Sequence, residues 1–436
     1  MFNALYTLVP ERHKTPISGD EIMTRIIVLL FFLASLPLSL LASAEPSNPL
    51  LLVQLDDDDD ELDINTVRRM QSENAAREVD PWVLDEHERI EVDPNVVDGP
   101  WNAVPFDQSF FTYTDEQIEE MWPVFMRALR IPFPSAEYLR SRFETYPELR
   151  EELEPAFTGD YEDLSRRIIN VWRLFLRGDF REAKEEGIKY GAYGKVPAYF
   201  GQIVYAIYLA DTRSDKHQLL QDAANQVHQY VGVLNDMQYR EEFRDDYIVL
   251  RMGVAYALGR MAEEVSPPVA LFRNYLGRIS SAAEDIVEVD PNHPLGLAFQ
   301  AGIDANIIRI MGRAVGRLTF GARQARVQEY FDQAIEEVPD LAIIRYEYAN
   351  ALLYTSRRRE IDDVLEQLET AVTIQPTFAM EALDAMYAAK RLQEVQDFML
   401  YGRGFRAYER ERRRFMRGDD VNLHSVLRPP FRVTEI

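Results

Sequence analysis

Carboxylates are the side chains of this chain best suited to chemistry. Two of them flanking a glycosidic bond can serve as acid and as base or nucleophile, as they do in glycosidases built on all-α toroids. The chain carries 73 aspartates and glutamates, so close pairs must arise by chance, and no spacing singles out two of them. Hydrolysis of polysaccharide or peptidoglycan through paired carboxylates is therefore the alternative reading. The six histidines, His13, His87, His217, His228, His293 and His424, include no pair three or four residues apart that would put two metal ligands on one helical face. His228, in a helical stretch with Tyr230, reads as structural. HExxH, GxSxG, GxxxxGK[ST] and GxGxxG are all absent. The run DDDDDELD from Asp56 to Asp63 fails as a calcium loop, because Glu61 stands where the sharp-turn glycine belongs and Val67 where the bidentate glutamate belongs. It reads as a solvated acidic linker, and no metal or cofactor is expected.

Binding chemistry is better represented. PAYFGQIVYAIYLAD sets Tyr199, Phe200, Tyr205 and Tyr208 in one helix, with Tyr205 and Tyr208 three apart and so on one face. Tyrosines suit a groove because an apolar ring ends in a polar tip, although the same side chains also pack cores. GRGFRAYERERRRFMRGDD reverses the charge of the chain with Arg403, Arg406, Arg410, Arg412, Arg413, Arg414 and Arg417. A terminal repeat needs a polar outer face. Alternatively, Arg410, Arg413, Arg414 and Arg417 dock an acidic partner, either the protein's own arm or an anionic lipid surface. The formal net charge of −25 opposes general binding to a phosphate backbone, so nucleic acid is not expected as a partner. Cysteine is absent, which removes disulfides, thiolate nucleophiles and a lipid-modified N-terminal cysteine.

The elements that must position these residues begin after an address. MTRIIVLLFFLASLPLSLLASAEP has a basic start at Arg25, an apolar run and the small-residue site Ala42-Ser43-Ala44, so residues 1–44 read as a secretory signal peptide with translation starting at Met23. Secretion to a periplasm is expected. Residues 45–113 form an irregular acidic arm rich in Asp, Asn, Pro and Val. Helical periodicity opens at Thr114, which with Gln117 spells a capping box, and no strand run interrupts it. Pro123 and the IPFP of Ile131 to Pro134 should break the first helices, and Gly178-Asp179 should turn tightly between two more. The body is all-α.

Three phrases recur: AAEDIVEVDP, YFDQAIEEVP and QLETAVTIQP. Twelve, eight and five residues before the final proline stand Ile279, Ala283 and Ile286; Val327, Phe331 and Ala334; and Val364, Leu368 and Ala371. Steps of four and three keep each set on one helical face, and proline ends the helix because it lacks the N–H. A first helix precedes each, through Val249-x2-Met252-Gly253-x2-Tyr256, Ala298-x2-Ala301-Gly302-x2-Ala305 and Tyr346-x2-Ala349-Asn350-x2-Leu353. This resembles the tetratricopeptide repeat, with a small residue where paired helices approach closely. Looser echoes occur at Gly178, Phe180 and Ala183 and at Gly201 and Leu220-x3-Ala224-x2-Val227. The spacing departs from the repeat's consensus of about 12 residues between glycine and alanine positions. It is 26 from Gly253 to Ile279, 25 from Gly302 to Val327 and 14 from Asn350 to Val364.

With its lengthened units, Asp246 to Lys390 is similar to the repeat domain of microtubule-dynamics regulators and to periplasmic repeat proteins associated with TRAP-type transporters. A secreted chain has no microtubules to regulate, so the first likeness implies architecture alone. The expectation is a TPR-like α-solenoid of antiparallel helix pairs: degenerate repeats over 114–240, TPR-like repeats over 241–392, and a basic helix and tail over 393–436. Its function would be that of a non-enzymatic scaffold or transport accessory in the cell envelope, binding a protein such as a transporter component, or a small ligand. Tyr205, Tyr208, Met252, Tyr256, Asn306 and Arg309 are the expected binding surface.

Overall fold

Thr114 starts the helical body as its sequence predicts. Its hydroxyl accepts from the Gln117 N–H while the Gln117 side chain accepts from the Thr114 N–H, satisfying two donors that the first turn leaves open. A computed structural model describes Arg69 and residues 92–401, apart from 152, 154–156, 227–229, 265–273 and 356–360. All of these belong to one compact unit, Asp58–Ile436. Among the described residues the fold is all-helical, without strands. The signal peptide, the acidic run, Val227, His228 and the basic C-terminal helix lie outside the described residues.

The principal helices are α1 (Asp115–Phe125), α2 (Ala136–Thr145), α3 (Tyr161–Arg177), α4 (Phe180–Gly187), α5 (Gly191–Tyr208), α6 (Arg213–Asn225) and α7 (Val231–Met237). They continue with α8 (Arg244–Glu264), α9 (Tyr275–Val289), α10 (Pro294–Phe320), α11 (Gln324–Glu337), α12 (Ala342–Thr355), α13 (Ile361–Thr373) and α14 (Ala379–Tyr401). The three recurring phrases form α9, α11 and α13, each of which stops two or three residues short of its proline. All nine of their apolar markers, from Ile279 to Ala371, are buried. Each of these helices packs on the one before it, α9 on α8, α11 on α10 and α13 on α12. The unusual spacings have a simple origin, since α8 runs to 21 residues and α10, kinked at Gly312, to 27.

Contacts also skip one helix. α3 touches α5, α10 touches α12 and α12 touches α14, while α5 reaches past both α6 and α7 to α8. The last helix then meets the early ones, since α14 contacts both α3 and α5. Side chains reinforce that meeting. Phe378 packs on Phe125 and Phe175, Tyr113 Oη donates to the Thr377 carbonyl at 2.5 Å, and Arg127 pairs with Glu381 at 2.6 Å.

Two turns show how local sequence sets these contacts. Gly178 ends α3 at φ 94°, and the N–H groups of Gly178 and Asp179 return to the Leu174 carbonyl, so the chain reverses directly into α4. His293 begins α10 by accepting from the Gly296 N–H at 3.2 Å, ahead of Pro294. Burial, with the charge of Arg130 second, lowers its pKa to about 4, and the neutral ring keeps Nδ1 free to accept.

Two local expectations need correction. Pro123 does not break α1, which runs on to Phe125; the break comes at 126–134, which includes IPFP. Nor do the first-helix glycines mark close helix approaches. A Cβ on Gly302 would meet nothing within 4 Å, and one on Gly253 would meet only Phe200 at 3.9 Å. Close approach occurs instead between α4 and α5, where a Cβ on Gly187 would lie 2.4 Å from the Gly194 carbonyl oxygen. Gly302→Ala should accordingly stabilise the protein by about 0.5–1 kcal/mol, because a helix-interior glycine gives way to alanine without a clash. Gly187→Ala should destabilise it, and chemical denaturation of the two variants checks the contrast.

Candidate functional site

Residues 92–113 of the arm lie across α3 to α6. Trp101 stacks on Tyr205 with centroids 4.3 Å apart, and the Asn102 N–H donates to Tyr205 Oη at 3.3 Å. The Asn102 amide also donates to the Leu209 carbonyl and to Asp211, and Lys184 donates to the Val97 carbonyl. Tyr205 is thus covered by the arm and does not line a groove. Tyr208 is also enclosed, its hydroxyl donating to Asp384 on α14, and Met252 is 1% exposed in the core. Tyr205 and Tyr208 do share one helical face. That face is closed because α5 is packed by α3, α4, α6, α8 and α14 together.

The other expected residues stand on α8 and α10 and are partly exposed. Tyr256 of α8 meets Phe299 of α10 edge-on at 5.9 Å. Gly253 lies one turn before Tyr256, while Gly302 and Asn306 follow Phe299 along the face of α10, with the Asn306 amide donating to the Gly302 carbonyl at 3.0 Å. The empty space around Gly302 therefore adjoins an aromatic pair and a carboxamide. Arg309 lies farther along, its guanidinium 4.8 Å from the Tyr354 ring centroid. Arg410, Arg413, Arg414 and Arg417 lie outside the described residues.

Beneath Tyr256 is a polar cluster whose members no sequence pattern brings together. Arg260 sits 5.2 Å from the Tyr256 ring centroid and pairs with Glu347 of α12. Asp384 is fully buried; one oxygen accepts from Tyr208 and the other, Oδ2, has no partner. Burial is the main force on it and raises its pKa to about 7, with Glu381 adding to the rise while Tyr208 and Arg260 oppose it. Burial likewise raises Tyr256 to about 12. Tyr387 links the cluster to Tyr208 at 5.3 Å and to Tyr346 at 5.0 Å. Helices α5, α8, α12 and α14, distant in the chain, all contribute to this cluster.

Among the described residues no group of histidine and carboxylate side chains could hold a metal ion, and no helix is long and apolar enough to cross a membrane. No protein-family model matches the chain, and comparison with curated proteins and with solved structures finds no match.

Proposed function

We propose that the protein is a secreted, periplasmic scaffold or transport accessory that binds a partner and does not turn over a substrate. In this reading the chain is a TPR-like solenoid of antiparallel helix pairs, in which α3, α5, α8, α10, α12 and α14 form the inner layer. The contacts of α3 with α5, α5 with α8, α10 with α12 and α12 with α14, the Tyr256–Phe299 contact between α8 and α10, and the meeting of α14 with α3 and α5 support that layering. The binding surface is the face of α8 and α10 around Gly253, Tyr256, Phe299, Gly302 and Asn306. One observation carries this: a glycine in mid-helix faces open space beside partly exposed aromatic side chains, where a packed repeat would bury it. The partner is an envelope protein such as a transporter component, or a small ligand, and the arginines from Arg410 to Arg417 add peripheral contact with the membrane.

Gly302→Trp fills that space without entering the core. The expected result is loss of partner retention in a crosslinking pull-down with thermal stability unchanged; retention at the native level would remove this surface from consideration.

The second reading, a toroid hydrolase acting on polysaccharide or peptidoglycan, is favoured by the neutral-range pKa of Asp384 beside Glu347 and Glu381. Against it, Asp384 is fully buried. Purified protein that released reducing sugar, and lost that activity as Glu347→Gln, would establish the second reading in place of the first.

A further inference from the structure

The end of α10 presents a cationic face in a strongly acidic chain. Gly312, at φ 74° and ψ 162°, interrupts the helix, and the turns beyond it carry Arg313, Arg317 and Leu318. The Arg313 guanidinium donates to the Thr355 carbonyl, one residue beyond the Tyr354 ring under Arg309, so Arg309 and Arg313 converge on the end of α12. Capping a helix C-terminus gives Arg313 a structural role, but a carbonyl does not neutralise its charge. Arg313 and Arg317 are exposed, Leu318 is 80% exposed, and Arg309 Nε is buried without an acceptor. Among the described residues, none of the three arginines forms an ion pair with a carboxylate.

We infer that this face is the docking site of the chain's own acidic run, Asp58 to Asp63, with the carboxylates against Arg309, Arg313 and Arg317 and Leu62 against Leu318. Five of the six residues in the run are acidic and the sixth is apolar, which matches the face in both charge and character. The run lies 29 residues before Val92, where the continuous described chain begins. At about 3.3 Å per residue that length reaches about 95 Å, more than the width of a domain of this size. A separate acidic protein must approach a molecule of net charge −25 against long-range repulsion. A tethered segment is already present at an effective concentration of about millimolar order.

The absence of cysteine makes a disulfide trap in the full-length chain unambiguous. Leu62→Cys with Leu318→Cys leaves every charge in place, and Leu62→Cys with Tyr239→Cys is the control, since Tyr239 is 85% exposed. In low salt the Leu318 pair should close about tenfold faster than the control, and molar salt should remove the advantage. Arg317→Gln should remove most of it as well, and since Arg317 makes no hydrogen bond or ion pair among the described residues, that variant should fold normally. Equal rates for the two pairs would overturn the inference, as would an advantage that survives both high salt and Arg317→Gln. Co-sedimentation with phosphatidylglycerol vesicles that depends on Arg317, with the vesicles slowing closure of the Leu318 pair to the control rate, would reassign the face to a membrane.

Discussion

Asp246→Ala is expected to destabilise the protein by about 3–5 kcal/mol, the loss typical when one partner of a buried, hydrogen-bonded charge pair is removed. Asp246 sits in the first turn of α8 with a fully buried side chain. One of its oxygens accepts from both Tyr138 of α2 and Tyr193 of α5, the latter at 2.5 Å, and the other accepts from Arg142 of α2 at 3.2 Å. Arg142 also lies over the Tyr138 and Phe243 rings. Alanine leaves two buried hydroxyls and a partly buried guanidinium without their acceptor, and all three helices lose their shared anchor. Asp246→Asn keeps the volume and one acceptor, so it should cost less than alanine. Urea denaturation with an unchanged slope checks both values, and a loss below about 1 kcal/mol for alanine would contradict the assignment of Asp246 as the anchor.

Asp384→Asn should produce the second large effect, in the opposite direction and dependent on pH. The native carboxyl is raised to about 7 from an ordinary value of 3.8, so the folded state holds a proton that the unfolded state releases. Stability from this group is present at low pH and falls as pH rises between those two values, then stays low above the upper one. Asparagine resembles the protonated acid, still accepts from Tyr208, and carries no such penalty. The variant should therefore be more stable than the parent at about pH 8.5 by up to about 4 kcal/mol, the gain shrinking steadily toward about pH 4. Thermal denaturation across that range would show it, and a constant offset at every pH would mean that Asp384 does not titrate in this window.

The helical body was legible in the sequence because its signals are local. Four- and three-residue steps ending in proline identified α9, α11 and α13 down to their buried markers, Thr114 and Gln117 marked the start of α1, and Gly178 marked the turn after α3. The misassigned residues share one cause. Tyr205, Tyr208 and Met252 lie on the helices expected to face a groove, but whether a face is open depends on elements far away in the chain. Trp101 covers Tyr205 from 104 positions upstream, and Asp384 meets Tyr208 from 176 positions downstream. Periodicity places a residue on a face and is silent about what covers it. The same limit hid the cluster of Arg260, Glu347 and Asp384, whose members come from three separate helices. Gly302 shows the converse, since a glycine read as a point of close approach stands in open space.

Photo-crosslinking in intact cell envelopes tests the account most directly, with a photoreactive residue placed at Gly302, at Asn306 and, as a control, at the exposed Tyr239. A single protein adduct at Gly302 and Asn306 that is missing at Tyr239, and is lost when Tyr256 and Phe299 become alanine, is the predicted result. No protein adduct at Gly302, or the same adducts at all three positions, would contradict a protein-binding surface on α8 and α10.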